Sequence, residues 1–384
     1  MIFSAPELGD AELHVLGLIE ELKTGLRHQL HEPRRWEGSL RRVSLARAIQ
    51  GSNSIEGFEA GLDDAVDIAA GEEPLDADQE TSLALRGYRG AMTYVLQMAE
   101  EEGGFLYSAQ LLKSLHFMMT SYSPRNRPGR WRAGSIYVRN DENGDVVHEG
   151  PDIVQVPLLI EELVVNLNEE PGAHGPIIKA GMAHLNLAMI HPFRDGNGRM
   201  SRCLQSLVLA RDGVLSPVFM SIEEYLGRNT RSYYDALAQV GGGSWQPERD
   251  TRPWIRYILT AHLRQARTML RRVNESERMW SEVERLVSTR RLPERTIMAL
   301  FDATIGLRVR NATYRSYFEY APDEITEATA SRDLRQLVEA DLLAPRGERR
   351  GRYYVARPEL VNIRKMVVSM RDKRDDSDPF AAVE

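Results

Sequence analysis

The sequence holds a single cysteine, Cys203, in 384 residues. One thiol forms no internal disulfide and builds no cysteine-rich zinc site, and nothing in its use asks for an oxidising compartment. No apolar run reaches the ~18 residues that a membrane-spanning helix needs. The opening Met1-Ile2-Phe3-Ser4-Ala5-Pro6-Glu7 lacks the basic and apolar regions of a secretory leader. Cytoplasmic residence and no membrane partner are the resulting expectations. Internal repeats and low-complexity tracts are missing. So is an excess of positive charge: the net charge of −7 excludes a generic polyanion binder, though not a local basic patch.

What is present is ordinary for a soluble chain, with 42% hydrophobic and 27% charged residues. The length implies two or three domains. Apolar periodicity predicts helix over 8–50, where Val43, Leu45, Ala46 and Ile49 alternate with Arg41, Arg42 and Arg47. Further helices are expected over 77–102, 108–120, 154–168, 174–190, 198–212, 221–239 and 251–272. Between them, Ser123 to Gly129 reads as a loop. Ser135 to Val138, a turn over Asp141 to Asp145, and Val146 to His148 read as a hairpin. Composition shifts near 272. The predicted organisation is an N-terminal helical region (1–110), a core (111–272), a helical connector (273–292), a C-terminal domain (293–365) and a flexible charged tail (366–384).

The chemistry concentrates in one segment, His191-Pro192-Phe193-Arg194-Asp195-Gly196-Asn197-Gly198-Arg199-Met200-Ser201-Arg202. Gly196 and Gly198 flank Asn197 just before a helical pattern, so backbone N–H groups can converge on an anion at a helix N-terminus. Arg199 and Arg202 are three apart and share a helix face. Asp195 supplies an oxygen ligand suited to magnesium on phosphates. His191 titrates near neutral pH and is a candidate general base. Together these form a nucleotide-phosphate site with a proton acceptor at its edge.

Every fixed position of this segment is similar to the signature of the Fic domain, His-Pro-Phe-x-Asp/Glu-Gly-Asn-Gly-Arg-x-x-Arg, in its adenylyltransferase version. The likeness extends from about residue 35 to 270. It implies a mainly α fold: a Fic-type helical bundle with a β-hairpin flap. It also implies AMP transfer from ATP to a Ser, Thr or Tyr hydroxyl of a target protein, with pyrophosphate released. His191 is then the base and Asp195 the Mg2+ ligand. Gly196, Asn197 and Gly198 cradle the α-phosphate, Arg199 holds the outer phosphates, and Arg202 is a further cation meant for ATP. Gly129 to Arg132 and the hairpin residues Ile136, Tyr137 and Val138 resemble the flap that aligns the target by strand addition. Tyr234, in Tyr233-Tyr234, resembles the adenine-side tyrosine.

Ser52-Asn53-Ser54-Ile55-Glu56-Gly57 resembles the family's inhibitory motif, Ser/Thr-x-x-x-Glu-Gly/Asn, placed on an N-terminal helix. The resemblance implies that Glu56 reaches Arg202 and autoinhibits. The competing reading is a helix C-terminus capped by Gly57 with Glu56 in solvent. His184 is expected as a core hydrogen-bonding histidine and Cys203 as a buried small hydrophobe. Tyr107, Ser108, Ser121, Tyr122 and Tyr137 are candidate self-modification acceptors.

Residues 325–338, then Leu342-Leu343 and a turn with Arg346, Arg349, Arg350 and Arg352 before Tyr353-Tyr354-Val355, resemble a winged helix-turn-helix. Arg332 and Arg335 on its second helix suit a groove. DNA binding stands open beside protein docking and homodimerisation. AMP removal, transfer of another phosphate-linked group, and a nucleotide-sensing DNA-binding regulator remain alternatives to AMP transfer.

Overall fold

The computed structural model describes residues 1–384 except 33, 101–103, 140–145, 171–174, 212–220, 320–323, 374 and 382–384. The expected turn over Asp141 to Asp145 lies outside the described residues. The chain is mainly helical. The long helix expected over 8–50 is two, α1 (Asp10–Gln29) and α2 (Glu37–Ser54). Pro33 lies in the connecting sequence and has no amide to donate to a helix. A short helix α3 (Leu62–Ala69) follows, which the periodicity did not indicate. Then come α4 (Gln79–Glu100) and α5 (Ala109–Thr120). Ser108 caps α5 by accepting the Leu111 amide at 3.1 Å.

The central pair is α7 (Gly175–Ile190) and α8 (Asn197–Arg211), with α6 (Val156–Asn168) beside it. Helix α7 is largely apolar and buried on nearly every face, with Lys179 partly exposed and His184 and Asn186 as buried polar residues. The helix expected over 221–239 is broken at Asn229 into α9 (Glu223–Arg228) and α10 (Thr230–Gly241). Helix α11 (Arg252–Thr289) then packs Trp254 against α7, whose Gly181 carbonyl accepts the indole N–H at 2.8 Å. Burying each large side chain in this core contributes about 1.5–3 kcal/mol.

The small sheet has strand order β1 (Tyr137–Arg139), β2 (Val146–Glu149) and β3 (Gly243–Ser244). Strands β1 and β2 are antiparallel, with Val138 opposite His148. Strand β3 joins parallel to β2, which leaves β1 at the edge. Ile136 lies just before β1, and its carbonyl accepts the Gly150 amide at 3.2 Å.

Backbones of α2 and α9 touch. A Cβ on Gly227 would lie 2.7 Å from Gly51 Cα, and one on Gly51 would lie 2.5 Å from the Glu223 carbonyl oxygen. Gly51→Ala is expected to destabilise the protein by about 1–3 kcal/mol, because helices packed on glycine must separate. The measurement is the denaturant midpoint; no shift would mean that α2 moves away at no cost.

No break falls at residue 272: α11 runs through it, and Val273, Met279, Trp280, Val283 and Val287 of the expected connector are buried. They form a second core with Leu26, Trp36 and Leu40 from the N-terminal helices and with the C-terminal elements. Those elements are α12 (Ile297–Ile305), α13 (Asn311–Ser316), α14 (Glu327–Glu339), β4 (Leu343–Arg346), β5 (Tyr353–Ala356) and α15 (Pro358–Ser369). Strands β4 and β5 are antiparallel, and Val309 bridges Tyr354.

Described residues of the 366–384 tail make contacts with α11. Helix α15 continues to Ser369, Phe380 is buried under the Arg256 guanidinium, and Arg267 pairs with Asp375 at 2.5 Å. Composition marks this tail as polar, but the arginines of α11 give its acidic residues fixed partners.

The C-terminal elements grip the helix that leads to Glu56. Asp302 accepts from Ser39 at 2.9 Å and from Arg42 at 2.6 Å, and Tyr317 donates to the same carboxylate at 2.7 Å. The Arg42 guanidinium also lies 4.6 Å from the Tyr317 ring centroid. Arg308 pairs with Asp63 at 3.0 Å and Asp76 at 2.7 Å, and Arg310 with Asp67 at 3.2 Å.

Candidate active site

The site forms where α7 ends and α8 begins. His191 leaves α7 with φ 48°, a left-handed conformation that non-glycine residues seldom adopt. The turn is held by one side chain: Asn197 accepts the Phe193 amide at 2.8 Å and donates to the Phe193 carbonyl at 2.9 Å. Gly196 has φ 77°, and a Cβ there would lie 3.0 Å from Thr120 Cγ2. Asn197 and Gly198 open α8, so the first free amides of that helix face the turn.

His191 Nδ1 lies 3.1 Å from the Ala188 carbonyl, which only accepts. The proton therefore sits on Nδ1, and Nε2 carries the lone pair. Burial pushes the imidazole down to about 4, against the Ala188 hydrogen bond, which raises it. His191 is accordingly neutral at pH 7 and ready to accept a proton. Protonation sets in only as pH falls through that value. If His191 is the base, activity is expected to be flat from about pH 8 to 5 and to fall about tenfold per unit below about 4. A pH–rate profile that drops between 7 and 6 would remove the neutral-histidine assignment.

Two arginines line the pocket, both buried. Arg202 donates from Nε to Ser52 Oγ at 2.8 Å and from Nη2 to the Ser52 carbonyl at 2.9 Å and Glu56 Oε1 at 2.6 Å. Arg199 donates to the Tyr122 hydroxyl at 3.3 Å and stacks its guanidinium on Phe58. Arg202 Nη1 and Arg199 Nε are buried with no hydrogen-bond partner among the described residues. Buried cations with open donors are costly unless an anion meets them.

Glu56 lies just past the end of α2, which stops at Ser54, and Gly57 has φ 82°. The helix-end geometry of the competing reading is there, but the carboxylate turns inward to Arg202 instead of out to solvent. Burial raises the Glu56 carboxyl, yet Arg202 and Arg199 hold it below the usual range, so it stays charged. A Cβ on Gly198 would overlap Glu56 Oε1, so only glycine leaves room for that oxygen over the loop.

Asp195 is exposed; its Oδ1 accepts the Gly196 amide at 2.8 Å and its Oδ2 accepts from Asn126 at 2.6 Å. Among the described residues no three His, Cys, Asp or Glu side chains gather as a metal cage. One carboxylate fits a hexacoordinate divalent cation that takes its other ligands from phosphate and water.

Tyr234 is half exposed, and its hydroxyl donates to the Ile55 carbonyl at 3.3 Å, next to Glu56. Its neighbour Tyr233 is buried and donates to His184 Nε2 at 2.9 Å, while His184 Nδ1 donates to Gln205 at 2.6 Å. Cys203 is buried.

The hairpin hangs beside His191. Arg132 donates from Nε to the His191 carbonyl at 3.0 Å and from its amide to the Pro192 carbonyl at 2.8 Å. His148 on β2 bonds the Met189 carbonyl at 2.9 Å. Tyr137, on the edge strand, is exposed. Two further contributors come from outside the sequence motifs. His116 accepts the Gly129 amide on Nδ1 at 2.9 Å, so its Nε2 carries the proton and donates to the Asp195 carbonyl at 2.9 Å. Its ring stacks on Phe193 at 3.7 Å. Asn126, in a loop recognised only as a turn, steadies the Asp195 carboxylate. Neither residue belongs to a local motif, and a lone histidine on an apolar helix face carries no sequence signal.

Residues 106–209 match the Fic/DOC family. Among curated proteins, the chain is 34% identical over 131 residues to protein adenylyltransferase fic-1 of Caenorhabditis elegans, covering 34% of this chain and 22% of that protein. It is 30% identical over 172 residues to protein adenylyltransferase Fic of Culex quinquefasciatus, covering 45% and 31%. The chain thus spans less than a third of the length of these relatives. The fold resembles the crystal structure of a Fic family protein from Desulfovibrio desulfuricans G20, with TM-score 0.57 and 21% identity over 93% of this chain and 99% of the other. It also resembles Fic-1 (aa134 - 508) from C. elegans, with TM-score 0.55 and 20% identity over 69% and 73%. The His191 to Arg202 loop, folded at the α7–α8 junction, lies inside the segment that is similar to the Fic/DOC family.

Proposed function

We propose that this chain transfers the AMP moiety of ATP to a hydroxyl side chain of a target protein, itself included. The observation that supports it most is the unprotonated Nε2 of a neutral His191 beside a glycine turn and two buried arginines with open donors. His191 takes the proton of the target hydroxyl. That oxygen bonds the α-phosphorus as the bridge to the β-phosphate breaks, and pyrophosphate leaves. The Gly196–Asn197–Gly198 amides hold the α-phosphate, and Arg199 and Arg202 hold the outer phosphates. Asp195 holds Mg2+, which when bound neutralises charge on the phosphates. Tyr234 stands on the adenine side.

Glu56 is the brake. Its carboxylate holds the Arg202 donors that the outer phosphates need and repels the γ-phosphate. Edge strand β1, led by Ile136, Tyr137 and Val138, receives the target segment by main-chain pairing. Residues 293–365 are a winged helix, supported by the α12–α13–α14 order, the Val309–Tyr354 bridge and the β4–β5 hairpin. The contacts of Asp302 and Tyr317 with α2 favour a docking role over DNA binding for this unit. The test is intact-protein mass spectrometry of Glu56→Gly after incubation with ATP and magnesium. A gain of one AMP supports the reading, and no adduct on the chain or on any protein of a host extract sinks it.

A further inference from the structure

Away from the His191 loop, a cavity of about 500 Å³ lies between α11, α9, the end of α15 and the tail, a volume within the range of small-ligand sites. One face of α11 supplies Arg264, Arg267, Arg271 and Arg278, spaced three, four and seven residues apart. Like charges repeated at that spacing repel one another, and on this face of α11 only Glu275, 3.8 Å from Arg271, offsets them among the lining residues. Arg228, Arg371 and Lys373 add three more cations, in a chain whose net charge is −7.

Four carboxylates line the cavity with these seven cations: Glu224, Glu275, Asp372 and Asp375. Both Glu224 oxygens hold Arg272 at 2.6 Å, and Oε1 also meets Arg228 at 2.7 Å; Glu275 holds Arg371 at 2.5 and 2.8 Å and lies 3.8 Å from Arg271. Asp375 of the tail is shared: Oδ2 lies 2.5 Å from Arg267 Nη1 and 3.8 Å from Arg264 Nη1. The Arg264 side chain is only 10% exposed, and its Nη1 has no hydrogen-bond partner among the described residues. A single carboxylate thus stands where two guanidinium groups converge, and it leaves one buried donor unmet. Leu270, Val367 and Met370 give the cavity an apolar wall.

We propose that this cavity binds a small di- or polyphosphate compound, its phosphates on Arg264, Arg267 and Arg271 and its organic part on the apolar wall, with Asp375 as an internal placeholder. This site is separate from the ATP site and does not rest on the transferase reading. Phosphate oxygens satisfy guanidinium donors in pairs, which one carboxylate oxygen does not. Asp375 is an anion throughout the physiological range, because the Ser377 hydroxyl and amide and then Arg267 hold its carboxyl down to about 2.

The probe is inorganic pyrophosphate, titrated calorimetrically into the full chain near 0.15 M salt. Arg267 and Arg271 are 38% and 40% exposed, so replacing both is tolerated by the fold. The Arg267→Ala/Arg271→Ala variant is expected to lose one binding event, weakened by about a hundredfold for two charged donors removed. Asp375→Asn is expected to tighten the same event by about three- to fivefold, since it removes a competing exposed ion pair. An isotherm unchanged in both variants, or no binding to the full chain and to Asp375→Asn, overturns the proposal.

Discussion

Glu56→Gly is expected to raise self-modification with AMP by about 5- to 150-fold over the parent chain, the range of a coupling of about 1–3 kcal/mol between two competing occupants of one site. The substitution deletes the carboxylate 2.6 Å from Arg202 Nη2 and frees the space above Gly198. Arg202 keeps its two Ser52 bonds, so the side chain stays in place with its donors open. The gain is therefore expected in the apparent affinity for ATP and in turnover together, read from labelled AMP against ATP concentration. Equal rates in the two proteins would end the brake assignment.

The sign of the pH effect follows from the carboxyl held low. A depressed carboxyl contributes its ion pair above the ordinary carboxylate range and loses it only as pH falls through the lowered value. If Glu56 is the brake, mild acid to about pH 5 is expected to leave the parent chain inhibited, with release coming from displacement of Glu56 or movement of α2. The grip of Asp302 and Tyr317 on Ser39 and Arg42 sits on that same helix. In Glu56→Gly, removing a nearby negative charge lowers the His191 imidazole further, so the base remains neutral.

His191→Ala, made in the Glu56→Gly background, is expected to lower AMP transfer by about a thousandfold, the middle of the range for a lost general base. ATP binding should change by less than about threefold, because the proposed phosphate contacts are the Gly196–Gly198 amides and the arginines and not the imidazole. Calorimetry of ATP binding beside single-turnover transfer separates the two. Transfer within tenfold of the background would remove His191 from the base role. A parallel loss of ATP binding would show instead that the left-handed His191 position holds the loop together, since its backbone bonds Leu187 and Arg132.

Twelve contiguous residues made the His191 to Arg202 loop legible, because a glycine turn at a helix start is a local device. Its parts are neighbours in sequence, and the backbone brings them together without help from distant chain. The hairpin and most helices were readable for the same reason, through turn residues and apolar periodicity. The break between α1 and α2, the division at Asn229 and helix α3 were not. Each is set by what the segment packs against, and periodicity reports only that a face is apolar.

The sequence alone therefore determined the chemistry of the loop: a histidine, a carboxylate, a glycine turn and two arginines at fixed spacing. It also paired Glu56 with Arg202 by resemblance, across 146 residues. Only the tertiary structure decided that the carboxylate turns inward, that Nδ1 of His191 is the protonated nitrogen, and that His116, Asn126 and Arg132 steady the loop from three other segments. It alone assembled the basic cavity on α11 and tied the tail down over it. Those outcomes depend on burial and on charges brought together by folding, and neither is encoded in any stretch of neighbouring residues.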